Sequence, residues 1–145
     1  MNYQHITHVP SLTYLSNHFY SLQGKPTKKQ DIQKKNMAAI NKLIPIIKKS
    51  IETNKVFIAH KTYCPYCHST LNLINEKIRE NILKKEDVYY LELDTIEDGA
   101  DYQDALQEIS GQRTVPNIYI NNKHIGGNSD LQTLNSTGEL DKLLK

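Results

Sequence analysis

The chain lacks tryptophan, and only two phenylalanines and two cysteines occur among its 145 residues. Two cysteines are too few to staple a small secreted scaffold, and they cannot fill a four-cysteine zinc site within one chain. Long apolar runs are missing as well; none reaches the ~18 residues a membrane-spanning helix needs. Nor is there an excess of one charge. Eighteen basic and 16 acidic residues leave a net +2, too little to bind nucleic acid by bulk electrostatics. The length suits one domain with an appendage and not two full domains, and no internal repeat is present. The expectation is a soluble, intracellular, monomeric protein that engages neither nucleic acid nor a membrane.

The small net charge conceals an asymmetry. Residues 1–36 carry five lysines (25, 28, 29, 34 and 35) and one acid, Asp31, for +4, so the 109 residues from Met37 onward sum to −2. Composition shifts at the same point, from hydroxyl, amide, His and Tyr residues to regularly spaced aliphatics. The chain therefore reads as a leader, 1–36, and a domain, 37–145. In the leader Leu12, Leu15, Phe19 and Leu22 recur at helical spacing with no acid before Asp31, the pattern of a mitochondrial transit peptide. The lack of arginine, and lysines that follow the apolar stripe instead of facing it, favour a disordered tail. A tail leaves the protein in the cytoplasm; a transit peptide sends some of it to mitochondria.

Within the domain, Ile40, Leu43, Ile44, Ile47 and Ile51 give 38–53 a helical face, which Pro45 is expected to kink or restart. Val56–Ala59 reads as a first strand. Pro65 to about Leu83 reads as a helix with Cys67, Leu71, Ile74, Ile78 and Ile82 along one stripe. Val88–Leu93 is a second strand, and Ala100–Ser110 a helix stopped by Gly111. Residues 117–120 and 123–125 form a hairpin turning on Asn121-Asn122. Ser129 and Gln132 have the form of a capping box, so a short helix follows, with a last turn or two over Glu139–Leu144. The strand–helix–strand unit makes the first two strands parallel with a right-handed crossover. The fold class is α/β, a small four-stranded mixed sheet flanked by helices.

Thr62-Tyr63-Cys64-Pro65-Tyr66-Cys67 falls where the first strand hands over to a helix. Pro65 suits the first helical position, where its missing N–H costs nothing, and this puts Cys64 at the N-cap. A sulfur there faces unpaired N–H groups and the positive end of the helix, surroundings that favour thiolate. Lys61 adds positive charge. Cys67 lies one turn on, on the apolar stripe, where it is more buried and less ionised. Cys64 is thus the attacking thiolate and Cys67, within disulfide reach, the resolving thiol. A Cys-x-x-Cys can also be half of a metal site, with His60 and His68 as nitrogen ligands; at a strand-to-helix junction the redox reading is preferred.

Lys61-Thr-Tyr-Cys-Pro-Tyr-Cys67, Thr114-Val-Pro116 and Gly126-Gly-Asn-Ser-Asp130, in that order, resemble the glutaredoxins, most of all the fungal dithiol members. The resemblance runs from about Met37 to the C-terminus and leaves out the leader. It implies a thioredoxin-like fold and no tightly bound cofactor. Glutathione is the cosubstrate, and the substrates are glutathionylated and disulfide-bearing proteins. It also gives residues their roles. Lys61 would hold the glycine carboxylate of glutathione, with Gln103 adding an amide bond from the segment Gln103-Asp104-Ala105-Leu106. Thr114, Val115 and Pro116 would form a cis-proline loop whose backbone pairs with the peptide. Gly127, Asn128 and a helix capped by Ser129 would offer N–H groups to the γ-glutamyl carboxylate, and Asp130 would pair with its ammonium. Tyr66 packs near the bound thiol, Arg113 could add positive field, and Tyr63 and Tyr119 read as structural.

The rival readings are a Cys64-bridged dimer around a glutathione-ligated [2Fe–2S] cluster and a weak peroxide-reducing activity. Dedicated cluster binders carry Cys-Gly-Phe-Ser, which is absent here, and Pro65 stiffens the loop. Met37 stands where the regular domain begins, which suggests a second translation start that yields a leaderless form. N-terminal sequencing of the protein from its native cell should find chains beginning at Met37; full-length chains alone would dismiss the idea.

Overall fold

A computed structural model describes residues 24–145; the apolar spacing at Leu12, Leu15, Phe19 and Leu22 lies outside the described residues. Strands β1 (Val56–His60), β2 (Val88–Glu92), β3 (Asn117–Ile120) and β4 (Lys123–Gly126) form one sheet in the order β2-β1-β3-β4. β1 runs parallel to β2, with Ile58 opposite Tyr90, and antiparallel to β3, with Ile58 opposite Ile118. All five residues of β1 are buried, and Val56 to Ala59 alternate between two cores because successive strand side chains point to opposite faces. Phe57 and Ala59 pack with Ile40, Ile47 and Ile51 of α1 (Lys28–Thr53) and Ala105 and Leu106 of α3 (Gly99–Ser110). Val56 and Ile58 pack with Leu73 and Ile74 of α2 (Pro65–Arg79), Leu131 of α4 (Asn128–Ser136), and Leu140 and Leu144 of α5 (Glu139–Leu144). This is the mixed sheet between helical layers that the sequence predicts.

The β3–β4 turn has Asn121 and Asn122 at φ 51° and 63°, the pair of left-handed residues a two-residue hairpin requires. A bulge beside Tyr119 precedes Gly126 at φ 118°. That φ favours glycine, and a Cβ there would also press on the Asp130 carboxylate.

Two elements differ from expectation. α1 begins at Lys28, inside the segment read as leader, because Thr27 and Gln30 make a reciprocal cap. The Thr27 N–H donates to Gln30 Oε1 at 2.8 Å, and the Gln30 N–H donates to Thr27 Oγ1 at 3.3 Å. The helix continues through Pro45 without a restart. α2 ends at Arg79 and not near Leu83; Asn81 turns left-handed at φ 59°, and the Ile82 and Leu83 N–H groups both donate to Lys77 O, at 3.0 and 3.3 Å. The buried side of α2 is Cys67, Thr70, Leu73, Ile74 and Lys77, a phase that leaves Leu71 and Ile78 half-buried. Among the described residues, no helix is long and apolar enough to cross a membrane.

Lys77 is buried because Asp141 meets it: the Nζ lies 2.8 Å from Asp141 Oδ1, with Glu80 at 3.7 Å. The bond to Asp141 raises the Lys77 ammonium above its ordinary 10.5, against the opposing effect of burial. Lys77→Met keeps most of the buried stem and removes the charge. Since Asp141 is partly solvated, the variant should lose about 1–2 kcal/mol in urea unfolding, between the ranges for exposed and buried pairs. A raised amine stabilises the fold fully below its unfolded value and loses that contribution as pH climbs through the folded one. The difference between wild type and variant should therefore hold from neutral pH to about 10.5 and shrink above it.

Candidate active site

β1 ends at His60 and α2 begins at Pro65, so the two cysteines occupy the mouth of a strand-to-helix junction. Cys64 is the N-cap of α2 with extended φ and ψ of −86° and 118°, and Pro65 takes the first helical position, as expected. Lys61 to Cys64 form a turn closed by the Cys64 N–H donating to Lys61 O at 3.3 Å; the His68 N–H donates to Cys64 O at 3.0 Å and starts the helix. The Cys64 sulfur makes no hydrogen bond to the first-turn N–H groups. The polar atom it meets is the Val115 carbonyl, with Sγ–H donating across 3.8 Å.

Both cysteines are free, Cys64 half-buried and Cys67 fully buried. Burial pushes the Cys67 thiol up to about 12; a backbone hydrogen bond from Lys61 works against this, and the adjoining Cys64 sulfur adds to it. The predicted asymmetry in depth between the two thiols is present.

Beside Cys64 lies a groove of about 440 Å³, lined by Tyr66, Thr114, Val115, Pro116, Gly127, Asn128 and Ser129. The Val115–Pro116 peptide bond is cis. Residues from three separate motifs thus meet in one concavity. Three other candidates stand outside its lining. Lys61 is half-buried on the turn and meets no carboxylate among the described residues. Gln103 donates its Nε2–H to Arg113 O at 2.7 Å, so its amide nitrogen ties the loop before the cis-proline. Asp130 turns back and accepts the Gly127 N–H on Oδ2 at 3.0 Å.

That last bond corrects the predicted cap. α4 starts at Asn128 with Gly127 as its N-cap, and Ser129 lies one residue inside. The carboxylate of Asp130 at the third helical position returns to the cap N–H, the part that Gln132 was expected to play. Gln132 instead donates to Asn128 Oδ1 at 3.3 Å. Arg113 adds no free charge, since Asp104 pairs with it. Tyr119 is core, as expected, but Tyr63 is 68% exposed, like Tyr66. His60 is buried, with Glu92 3.9 Å away; burial lowers its pKa, which Glu92 opposes.

Residues that sequence reasoning passed over hold the groove in shape. Gln112 donates to Thr114 O and Pro116 O at 3.1 and 3.0 Å. Asn117, buried, donates to Ser110 Oγ and Gln112 O at 3.1 and 3.3 Å. Thr70 donates to Asn128 Oδ1 at 3.0 Å and so links α2 to α4. Adjacency to the Thr-Val-Pro segment is the only sequence signal for Gln112 and Asn117; Thr70 has none.

The glutaredoxin family model matches residues 56–125. Glutaredoxin-1 of Saccharomyces cerevisiae is 56% identical over 99 residues, which cover 68% of this chain and 87% of that protein. Glutaredoxin-C4 of Arabidopsis thaliana is 43% identical over 98 residues, 68% of this chain and 67% of its own. The crystal structure of a buckwheat glutaredoxin–glutathione complex is similar with a TM-score of 0.63 at 29% identity, over 74% of this chain and 91% of that one. The thioredoxin-like sheet, the capped Cys-x-x-Cys and the cis-proline groove carry the same conclusion as these likenesses: the chain belongs to the glutaredoxin family, the glutathione-dependent thiol–disulfide oxidoreductases.

Proposed function

We propose that exchange runs through the Cys64 sulfur, with Cys67 as the resolving thiol and the groove between the cis-proline loop and α4 as the seat of the glutathionyl group. One observation carries this reading. Cys64 is accessible and borders the groove at the Val115 carbonyl, while Cys67 sits fully buried one turn behind it.

The Cys64 thiolate attacks the glutathione sulfur of a mixed disulfide. A Cys64–glutathione bond forms as the old S–S bond breaks, and the target leaves as a thiolate that takes up a proton. A second glutathione thiolate then attacks the bound glutathionyl sulfur, which releases oxidised glutathione and restores Cys64. On the two-thiol route Cys67 displaces the first partner, giving up its proton and closing a Cys64–Cys67 disulfide that glutathione reopens. Lys61 takes the glycine carboxylate. The first-turn N–H groups of α4 take the γ-glutamyl carboxylate, and Asp130 offers its remaining oxygen to the ammonium. Gln103 contributes through the loop it ties down. A cluster-bridged dimer is not favoured, because Pro65 fixes the first helical position directly behind Cys64.

Cys67→Ser should keep turnover of a small glutathione mixed disulfide, while Cys64→Ser abolishes it in the same coupled assay. Activity surviving without Cys64 would overturn the assignment. The depth of Cys67 makes a separate prediction. With Cys64→Ser, iodoacetamide labelling of Cys67 in the folded protein should be very slow at neutral pH. It should climb about tenfold per pH unit without levelling in the ordinary thiol range, since burial, the largest cause that pushes this thiol up, survives the substitution. A plateau near the ordinary thiol range would show that burial does not govern it.

A further inference from the structure

The turn that carries Lys61 and Cys64 is held by side chains that the exchange chemistry does not use. The parallel β1–β2 ladder ends with the Leu93 N–H donating to His60 O at 2.9 Å. One residue later the Asp94 carboxylate takes over from the backbone. The Thr62 N–H donates to both of its oxygens, at 3.0 and 3.1 Å, and the Thr62 hydroxyl donates to Oδ2. On the other side, the Thr62 carbonyl accepts from His68 Nε2, across from the first turn of α2. A carbonyl only accepts, so that nitrogen carries the proton. Every polar group of Thr62 is therefore engaged.

Burial does not demand this, because Thr62, His68 and Asp94 are all exposed and water could serve each group equally well. The bonds fix geometry. Thr62 is the second residue of the four-residue turn that sets Lys61 at one end and Cys64 at the other. We propose that Asp94 and His68 are positioning residues, which act through Thr62 to hold the Lys61 ammonium at the distance from the Cys64 sulfur that a glutathionyl group spans. This rests on the reading that Lys61 receives the glycine carboxylate.

A simple field effect has the opposite sign. Asp94 is a negative charge near a site for an anionic ligand, so removing it would tighten binding if charge alone counted. Positioning requires that removing it weakens binding. The test is steady-state kinetics of the full chain with a small glutathione mixed disulfide at saturating glutathione, using Asp94→Ala, Lys61→Gln and the double variant. Asp94→Ala should raise KM about three- to tenfold, the worth of a hydrogen bond or two, and change kcat less than about twofold. In the Lys61→Gln background the same substitution should add little, because its target is gone. Thr62→Val should move KM in the same direction and Thr62→Ser should recover most of it, which keeps the proposal testable if Asp94→Ala folds poorly. An unchanged or lowered KM in Asp94→Ala, or full additivity with Lys61→Gln, overturns the positioning role. A Lys61→Gln variant with unaltered KM instead overturns the Lys61 assignment beneath it.

Discussion

A strand that is hydrogen-bonded along both edges and packed on both faces cannot slip by one residue without exchanging its two cores. β1 is such a strand: β2 and β3 flank it, Phe57 and Ala59 point into one core, and Val56 and Ile58 into the other. Its C-terminal end is therefore a fixed point, and the Cys64 sulfur lies four residues beyond it. The short span from His60 to Cys64 is what a rigid sheet can still control. A longer loop would have loosened the sulfur from the frame.

From that fixed point the helix phase of α2 divides the chemistry between two chemically identical side chains. The N-cap position leaves Cys64 outside the helix, beside the Val115 carbonyl. Three residues on, the same turn of helix carries Cys67 inward with Thr70, Leu73 and Ile74. Desolvation then keeps the inner thiol protonated. Depth is the largest cause, and the neighbouring Cys64 sulfur adds to it. This is the arrangement that the proposed resolving role of Cys67 requires.

The parts legible in sequence are those in which a residue type and its structural task coincide. Periodicity gave away the strands and most helices, paired asparagines the hairpin, and proline after cysteine the cap of α2. The misses have physical causes. Ser129-x-x-Gln132 and Gly127-x-x-Asp130 are overlapping caps, and only the extended backbone left by the bulge before Gly126 decides for the second. α1 starts early because Thr27 and Gln30 form a cap that a charge-based boundary overlooks. Lys77 reads as surface until Asp141, 64 residues later, comes within 2.8 Å. A long-range partner of that kind has no local signature.

The residues that form the groove are not those that shape it. Val115, Pro116, Gly127 and Asn128 line it, and the proposed recognition there uses main-chain N–H and C=O groups, which any sequence with the right backbone could present. The side chains that impose that backbone lie around it. Gln112 spans Thr114 O and Pro116 O, Asn117 braces Gln112 O against Ser110, and Gln103 anchors Arg113 O. Thr70 and Gln132 both converge on the Asn128 amide oxygen. A ligand bound by backbone depends on residues that never touch it, so its specificity determinants lie in polar side chains one layer out. Asp94 and His68 bear the same relation to the turn before Cys64. Substitutions in that outer layer change the position of a carbonyl or an N–H by tenths of an ångström, and hydrogen-bond strength is steep on that scale. The polar residues around the sheet's end therefore set the accuracy of the site, and the apolar cores on either side of β1 set only its place.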